Sequence, residues 1–185
     1  NSYTVTITPG AHQTITVKNT TTGKSYTSTF TANYGDKLTA TITADPGYTA
    51  STLNQTSATV GTSGATFRAT GDATINSYTV TITQSANQTI TVNDGTRNHT
   101  SSFSAPYGTK LTASIAANTG YTAGTLNQTS ATVGTSGATF SATAATVNSY
   151  SVVITQTANQ TIKVNDGNRD HTATFSIPYG TELTC

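Results

Sequence analysis

Apolar and polar residues alternate along much of this chain with a period of two. In residues 76–147 the pattern is clearest. Tyr78, Val80 and Ile82 alternate with Thr79, Thr81 and Thr83, and Ile90 and Val92 alternate with Thr89 and Thr91. Such a period puts one apolar face and one hydroxyl face on each segment, which predicts half-buried strands. Asn93-Asp94-Gly95 follows, a turn signal because these residues tolerate positive φ. A third strand is expected around Phe103, ended by Pro106-Tyr107-Gly108. Leu111, Ala113 and Ile115 alternate with Thr112 and Ser114 in a fourth. Two short strands, near Ala131 to Val133 and around Phe140, complete the set, with Gly134-Thr135-Ser136-Gly137 as their turn. No helical period is present. The pattern predicts almost purely antiparallel β structure, about six strands per unit.

The unit recurs. NSYTVTIT opens at Asn1 and at Asn76, and NSYSVVIT at Asn148. Repeats of this length mark tandem modules, so the expected domains are 1–75, 76–147 and a partial third at 148–185 that stops in its fourth strand. The expected arrangement is all-β, tandem small antiparallel modules set as beads in an elongated rod. Apolar positions match across units: Tyr3, Tyr78 and Tyr150; Phe30, Phe103 and Phe175; Tyr34, Tyr107 and Tyr179; Leu38, Leu111 and Leu183. Most are expected to face the core. The stretch TLNQTSATVGTSGATF occurs twice without change, at 52–67 and 125–140. It carries no charged residue, histidine or cysteine, so it suits a building element better than acid, base or nucleophile chemistry. Leu53/Leu126, Val60/Val133 and Phe67/Phe140 within it are expected to close the core.

Composition narrows the function. There are 47 Thr among 185 residues, and Thr is β-branched and suited to a pleated surface. Only 8% of residues are charged, with a net charge of +1. No basic face for nucleic acid is present, and no apolar stretch reaches membrane-spanning length. Nucleic-acid binding and membrane insertion are therefore not expected. With no starting Met and no signal-peptide pattern, the chain reads as a mature or excised piece of something longer. The single Cys185 cannot form an internal disulfide.

The runs NYGDKLTATITADPGYTASTLNQ and PYGTKLTASIAANTGYTAGTLNQ resemble bacterial surface-protein repeats of the internalin B-repeat and Listeria–Bacteroides type. The resemblance rests on the Tyr-Gly turns at Tyr34-Gly35, Tyr107-Gly108 and Tyr179-Gly180, and on the pairs Gly47-Tyr48 and Gly120-Tyr121. The chain departs from that pattern in having no Trp, with Leu53 and Leu126 standing where the family has one. The resemblance implies tandem β modules in the extracellular stalk of an adhesin, without enzymatic activity.

Candidate chemistry is sparse. His99 and His171 match in position, with Asp94 and Asp166 five residues upstream, but the first unit has Tyr26 there. One His and one Asp fall short of a metal site, which needs three or four ligands. Thr ranks such as Thr4-Thr6-Thr8 and Thr39-Thr41-Thr43 suggest ice-binding arrays, yet their repeat period is too long and sheets twist. For isopeptide cross-links, Lys37 and Lys110 align with Glu182, Lys18 with Asn93, and Lys163 with Thr91, so no Lys keeps its place. Asn-x-Thr sequons occur at Asn19, Asn54, Asn87, Asn98, Asn127 and Asn159. Exposed Tyr could stack on sugar rings. Cys185 replaces Ala40 and Ala113 on the core-facing side. No catalytic residue, metal ligand or cofactor site is assigned.

The expected function is a structural spacer in an extracellular bacterial surface protein or adhesin, not an enzyme. Alternatives are a self-assembling filament subunit that pairs sheet edges and a carbohydrate-binding module. The expected partners are adjacent repeats of the same chain, another copy through the open edge of the third repeat, or a glycan. That edge lacks the closing strands supplied elsewhere by Val60 and Phe67, and it is expected to be covered by downstream sequence or a neighbouring chain.

Overall fold

The computed structural model describes residues 1–185 and contains no helix. The first repeat forms β1 (Ser2–Thr8), β2 (Gln13–Asn19), β3 (Ser25–Tyr26), β4 (Phe30–Asn33), β5 (Lys37–Ala44), β6 (Tyr48–Thr49), β7 (Ser57–Thr59), β8 (Ala65–Arg68) and β9 (Thr74–Ile75). The second forms β10 (Ser77–Ile82), β11 (Gln88–Asn93), β12 (Asn98–His99), β13 (Phe103–Pro106), β14 (Lys110–Ala117), β15 (Tyr121–Thr122), β16 (Ser130–Thr132), β17 (Ala138–Phe140) and β18 (Thr146–Val147). The third contributes β19 (Ser149–Val152), β20 (Val164–Asn165), β21 (Asp170–His171) and β22 (Phe175–Pro178). The protein is all-β, built of small sheets. Nine strands rather than about six appear in each full repeat, because several are only two residues long.

Two larger sheets, ordered β4-β1-β8 and β3-β2-β5-β7, and a small third one, β6-β9, make the first repeat. The long β2–β5 ladder pairs Ile15 with Ile42 and Val17 with Ala40, while Thr14 faces Thr43 and Thr16 faces Thr41. Alternation therefore does what the sequence implies: Ile15 and Val17 are buried, and the threonines line the other face. Val5, Ile7, Ala32 and Phe67 from one sheet share a single core with Ile15, Val17, Leu38 and Ala40 from the other. Val60 sits between, in the turn that carries the chain from β7 to β8. Tyr26, Phe30 and Leu53 pack half-buried against this core.

One feature departs from the antiparallel expectation. β8 runs parallel to β1, pairing Val5 with Ala65 and Ile7 with Phe67. β17 likewise runs parallel to β10, pairing Val80 with Ala138 and Ile82 with Phe140. The two halves of the copied stretch thus do not pair with each other. Its first half adds to β5 or β14, and its second half crosses to the other sheet. The crossing runs through Gly61 to Gly64, which bridge each other and are matched by Gly134 and Gly137. Gly64 has φ of 77°, and a Cβ there would lie 1.9 Å from the Thr4 carbonyl oxygen, so only glycine fits.

The chain divides into two compact units that run across the repeat boundaries. One comprises Asn1–Tyr78, Ser104–Thr109 and Val133–Gly137; the other comprises Thr79–Phe103, Lys110–Thr132 and Ala138–Cys185. Within the second unit, Val80, Ile90, Val92, Leu111 and Phe140 are buried as their counterparts are in the first.

The third repeat departs from the expected core. Val164 and Ile177 are buried, but Ile162 and Leu183 are each 40% exposed, against 0% and 1% for Ile90 and Leu111. Residues 160–163 form no strand where the second repeat has the first four residues of β11. Cys185 is exposed, not packed like Ala40.

Candidate functional site

The most built arrangement outside the cores is a joint where one repeat meets the next, and it occurs once inside each compact unit. In the first unit, β6 pairs with β9, Tyr48 opposite Ile75. Asn76 follows directly. Its backbone N–H donates to the Gly47 carbonyl at 2.8 Å, and its carbonyl accepts from Tyr107 N–H at 2.8 Å. The Thr49 hydroxyl donates to Asn76 Oδ1 at 2.7 Å. The Tyr107 ring lies directly on Gly47, where a Cβ would be 2.1 Å from Cγ of the ring. Tyr48 and Tyr78 each meet Tyr107 edge-on, with centroids 6.3 Å apart, the geometry that aromatic quadrupoles favour.

The second unit repeats each of these contacts. β15 pairs with β18, Asn148 N–H donates to Gly120, and Tyr179 N–H donates to Asn148, both at 2.8 Å. The Thr122 hydroxyl donates to Asn148 Oδ1 at 2.6 Å. Tyr179 lies on Gly120, with Tyr121 and Tyr150 edge-on at 6.3 and 6.2 Å. Gly47 and Gly120 have φ of 83° and 82°. Two requirements therefore meet at one residue: a left-handed backbone and a bare face for the ring.

This corrects the reading of Tyr34, Tyr107 and Tyr179 as core residues. Their alternation with polar neighbours is real, but the rings point out of the end of their own repeat. Tyr34 is 64% exposed. What sequence reasoning missed was the pairing of two motifs it had noted separately, Gly-Tyr in one repeat and Tyr-Gly in the next. One element of the first joint has no counterpart in the second. The His12 ring stacks on Tyr48 at 4.1 Å, with Nδ1 3.6 Å from Asp45 Oδ2.

The histidine candidates are placed as follows. His99 Nε2 lies 2.8 Å from Asp94 Oδ2, and His171 Nε2 lies 2.9 Å from Asp166 Oδ2. Each imidazole stacks on a phenylalanine, Phe103 or Phe175, at 3.6 Å. In the first repeat Tyr26 stacks on Phe30 at 3.7 Å in the same way. The shared feature is a flat ring on a flat ring, which is packing. Asp94 also accepts hydrogen bonds from the Thr96 hydroxyl and from the N–H groups of Thr96 and Arg97. The Thr96 hydroxyl and His99, with those backbone donors, hold its carboxyl well below the usual range. Asp166 is lowered likewise by His171 and by the Arg169 and Asn168 N–H groups. No three His, Cys, Asp or Glu side chains converge.

Other candidates are engaged structurally. Lys163 pairs with Asp170 at 3.7 Å. Asn19 is buried and donates to Asp36 at 2.8 Å. Asn54 and Gln55 both donate from their side-chain amides to the Thr66 carbonyl, and Arg68 N–H donates back to Asn54 Oδ1. Asn127 and Gln128 do the same to Thr139 and Ser141. These side chains occupy the free edge of β8 and β17, which would otherwise present unpaired backbone groups. The amide nitrogens a glycan would take at Asn54 and Asn127 are thus already donating. Gln13 and Gln88, which sequence reasoning did not single out, are buried ties. Gln88 donates to the Thr143 carbonyl at 2.7 Å and accepts from Gly124 N–H at 2.7 Å. Gln13 makes the matching bonds to Gly71 and Ser51.

No family model and no curated protein matches the chain. A solved structure titled "The Bacillus anthracis TIE protein" is similar at a TM-score of 0.46 and 12% identity, over 97% of this chain and 43% of that one. The chain thus spans less than half the length of that protein.

Proposed function

We propose that this chain is a run of structural spacer repeats from an extracellular bacterial surface protein or adhesin, with no catalytic role of its own. The observation that carries the reading is the joint. The same ring, glycine, asparagine and threonine recur at both repeat junctions with the same bonds. A joint reproduced so closely fixes how one repeat follows another. That is what a spacer requires and what a single-site enzyme or ligand-binding module does not. The near-absence of charge and the threonine faces supply a hydrated surface with few groups able to titrate near neutrality. The Tyr-Gly and Gly-Tyr motifs, through which the chain resembles surface-protein repeats, are the two halves of this joint.

The test is to delete residues 76–147 from the protein in its native host. The cut joins Ile75 to Asn148, so the junction NSY sequence is kept. Surface display and the activity of any distal portion should persist, with the distal portion moved closer to the cell. Loss of ligand binding or turnover that the isolated 185-residue chain itself displays would overturn the reading.

A further inference from the structure

The ring of the Tyr-Gly turn is covered twice in this chain and left open once. Tyr107 is covered by Gly47 and Tyr48, and Tyr179 by Gly120 and Tyr121. Tyr34, at the matching turn of the first repeat, is 64% exposed, against 46% for Tyr179. Its half of the joint is already assembled. Tyr34 N–H donates to the Asn1 carbonyl at 3.0 Å, as Tyr107 does to Asn76 and Tyr179 to Asn148. Tyr3 meets Tyr34 edge-on at 6.3 Å, as Tyr78 meets Tyr107. Four groups present at the other joints are not supplied here: a glycine under the ring, a second edge-on tyrosine, a carbonyl for Asn1 N–H, and a hydroxyl for Asn1 Oδ1.

Resting on the spacer reading, we infer that the face formed by Asn1, Tyr3 and Tyr34 is a docking surface for the Gly-Tyr-Thr corner of another repeat of this class. The chemistry defines the occupant. The residue under the ring must be glycine, because a Cβ at Gly47 or Gly120 would fall 2.1 Å from the ring that covers it. The next residue must be an aromatic that meets the ring by its edge, and the one after it a hydroxyl that reaches the asparagine amide oxygen. Both Gly-Tyr-Thr corners within residues 1–185 are already filled, by Tyr107 and Tyr179. The occupant is a further repeat that presents an unfilled corner. The ring and the Asn1 carbonyl bond are in place beforehand, so docking orders few new groups, which lowers its cost.

The experiment joins a copy of residues 76–147 ahead of Asn1. The junction is native in sequence, because Val147 is followed by Asn-Ser-Tyr in both cases. Tyrosine nitration by tetranitromethane, mapped by mass spectrometry, reads exposure. In the 185-residue chain Tyr34 should nitrate severalfold faster than Tyr107. In the extended chain Tyr34 should slow to the rate of Tyr107, and Gly120→Val in the added copy should restore its speed. A copy of residues 1–75, presenting Gly47 and Tyr48, provides a second extension should the first not fold. Tyr34 remaining fast behind both extensions, with Tyr107 slow, would overturn the docking surface and leave the spacer reading standing. Tyr107 reacting as fast as Tyr34 in the 185-residue chain would instead show that the internal joint is not packed, and the spacer reading would fail with it.

Discussion

At the scale of single residues, glycines and aromatics divide the work differently from what their spacing suggests. Gly35 and Gly47 both have positive φ, 87° and 83°. A Cβ on Gly35 would meet open space, whereas one on Gly47 would strike the Tyr107 ring. Gly35→Ala should therefore cost only the left-handed backbone penalty, about 1–2 kcal/mol. Gly47→Ala should cost roughly a further 1–3 kcal/mol of overpacking. Urea titration of both variants checks the difference, and equal losses would mean that the ring moves aside freely. In the core, Phe67 and Phe140 are fully buried. Phe140→Ala should lose about 3–5 kcal/mol. The buried roles of Val60, Val133 and both phenylalanines were legible in the sequence because alternation and exact copying agree there. The roles of Tyr34, Tyr107 and Tyr179 were not, since alternation says which face of a strand a ring leaves from and not which repeat it lands on.

Titration also belongs to this scale. The carboxyls of Asp94 and Asp166 are lowered in the folded protein. A lowered acid contributes stability that is full above its unfolded value, about 3.9, and is lost as pH falls below that toward the folded value. Stability should therefore be insensitive to these two groups above about pH 5 and decline below about pH 4. Asp94→Asn with Asp166→Asn should flatten that acid limb. Thermal melts from pH 2 to pH 7 would measure it, and an unchanged limb in the double variant would mean that these two carboxyls do not set the acid sensitivity.

At the scale of elements, the long ladders follow from period two, and β1, β2, β5, β10, β11 and β14 fall where alternation puts them. The parallel placement of β8 and β17 could not be read. A three- or four-residue strand has the same alternation whichever way it runs, and direction is set by the glycine crossover that moves it between sheets. The two-residue strands were invisible for the same reason, being too short to show a period. The Asn54-Gln55 and Asn127-Gln128 caps were hidden as ordinary polar residues, although they satisfy a strand edge that backbone would otherwise have to pair. Ladder content predicts where the fold opens. Residues 88–91 are fully laddered to β14, while their counterparts 160–163 form no strand. Amides across 160–163 should exchange on average at least about tenfold faster than those across 88–91. Hydrogen exchange followed by NMR would show it, and equal protection would mean that the third repeat completes its β2–β5 type ladder without further strands.

At the scale of the whole molecule, the compact units and the sequence repeats divide the chain differently, and the joint explains how that can be. Each unit contains a glycine corner together with the Tyr-Gly turn that covers it, though the two belong to successive repeats. In tandem arrays, stability is close to a sum of each repeat's own stability and the terms between neighbours. Removing the ring should then be felt on the side that receives it. Tyr107→Ala strips the cover from Gly47 and removes the edge-on partner of Tyr48. Backbone bonds from Asn76 and Tyr107 remain possible, but they become exposed to water. Amides of residues 47–49 and 74–76 should lose protection from exchange, although they lie well over twenty residues away in sequence. Val5, Ile15 and Val17, deep in the core of the same unit, should keep theirs. Were the loss confined to residues beside position 107, the tyrosine would be an ornament of its own turn. The joint would then rest on the asparagine and the short β6–β9 pair alone.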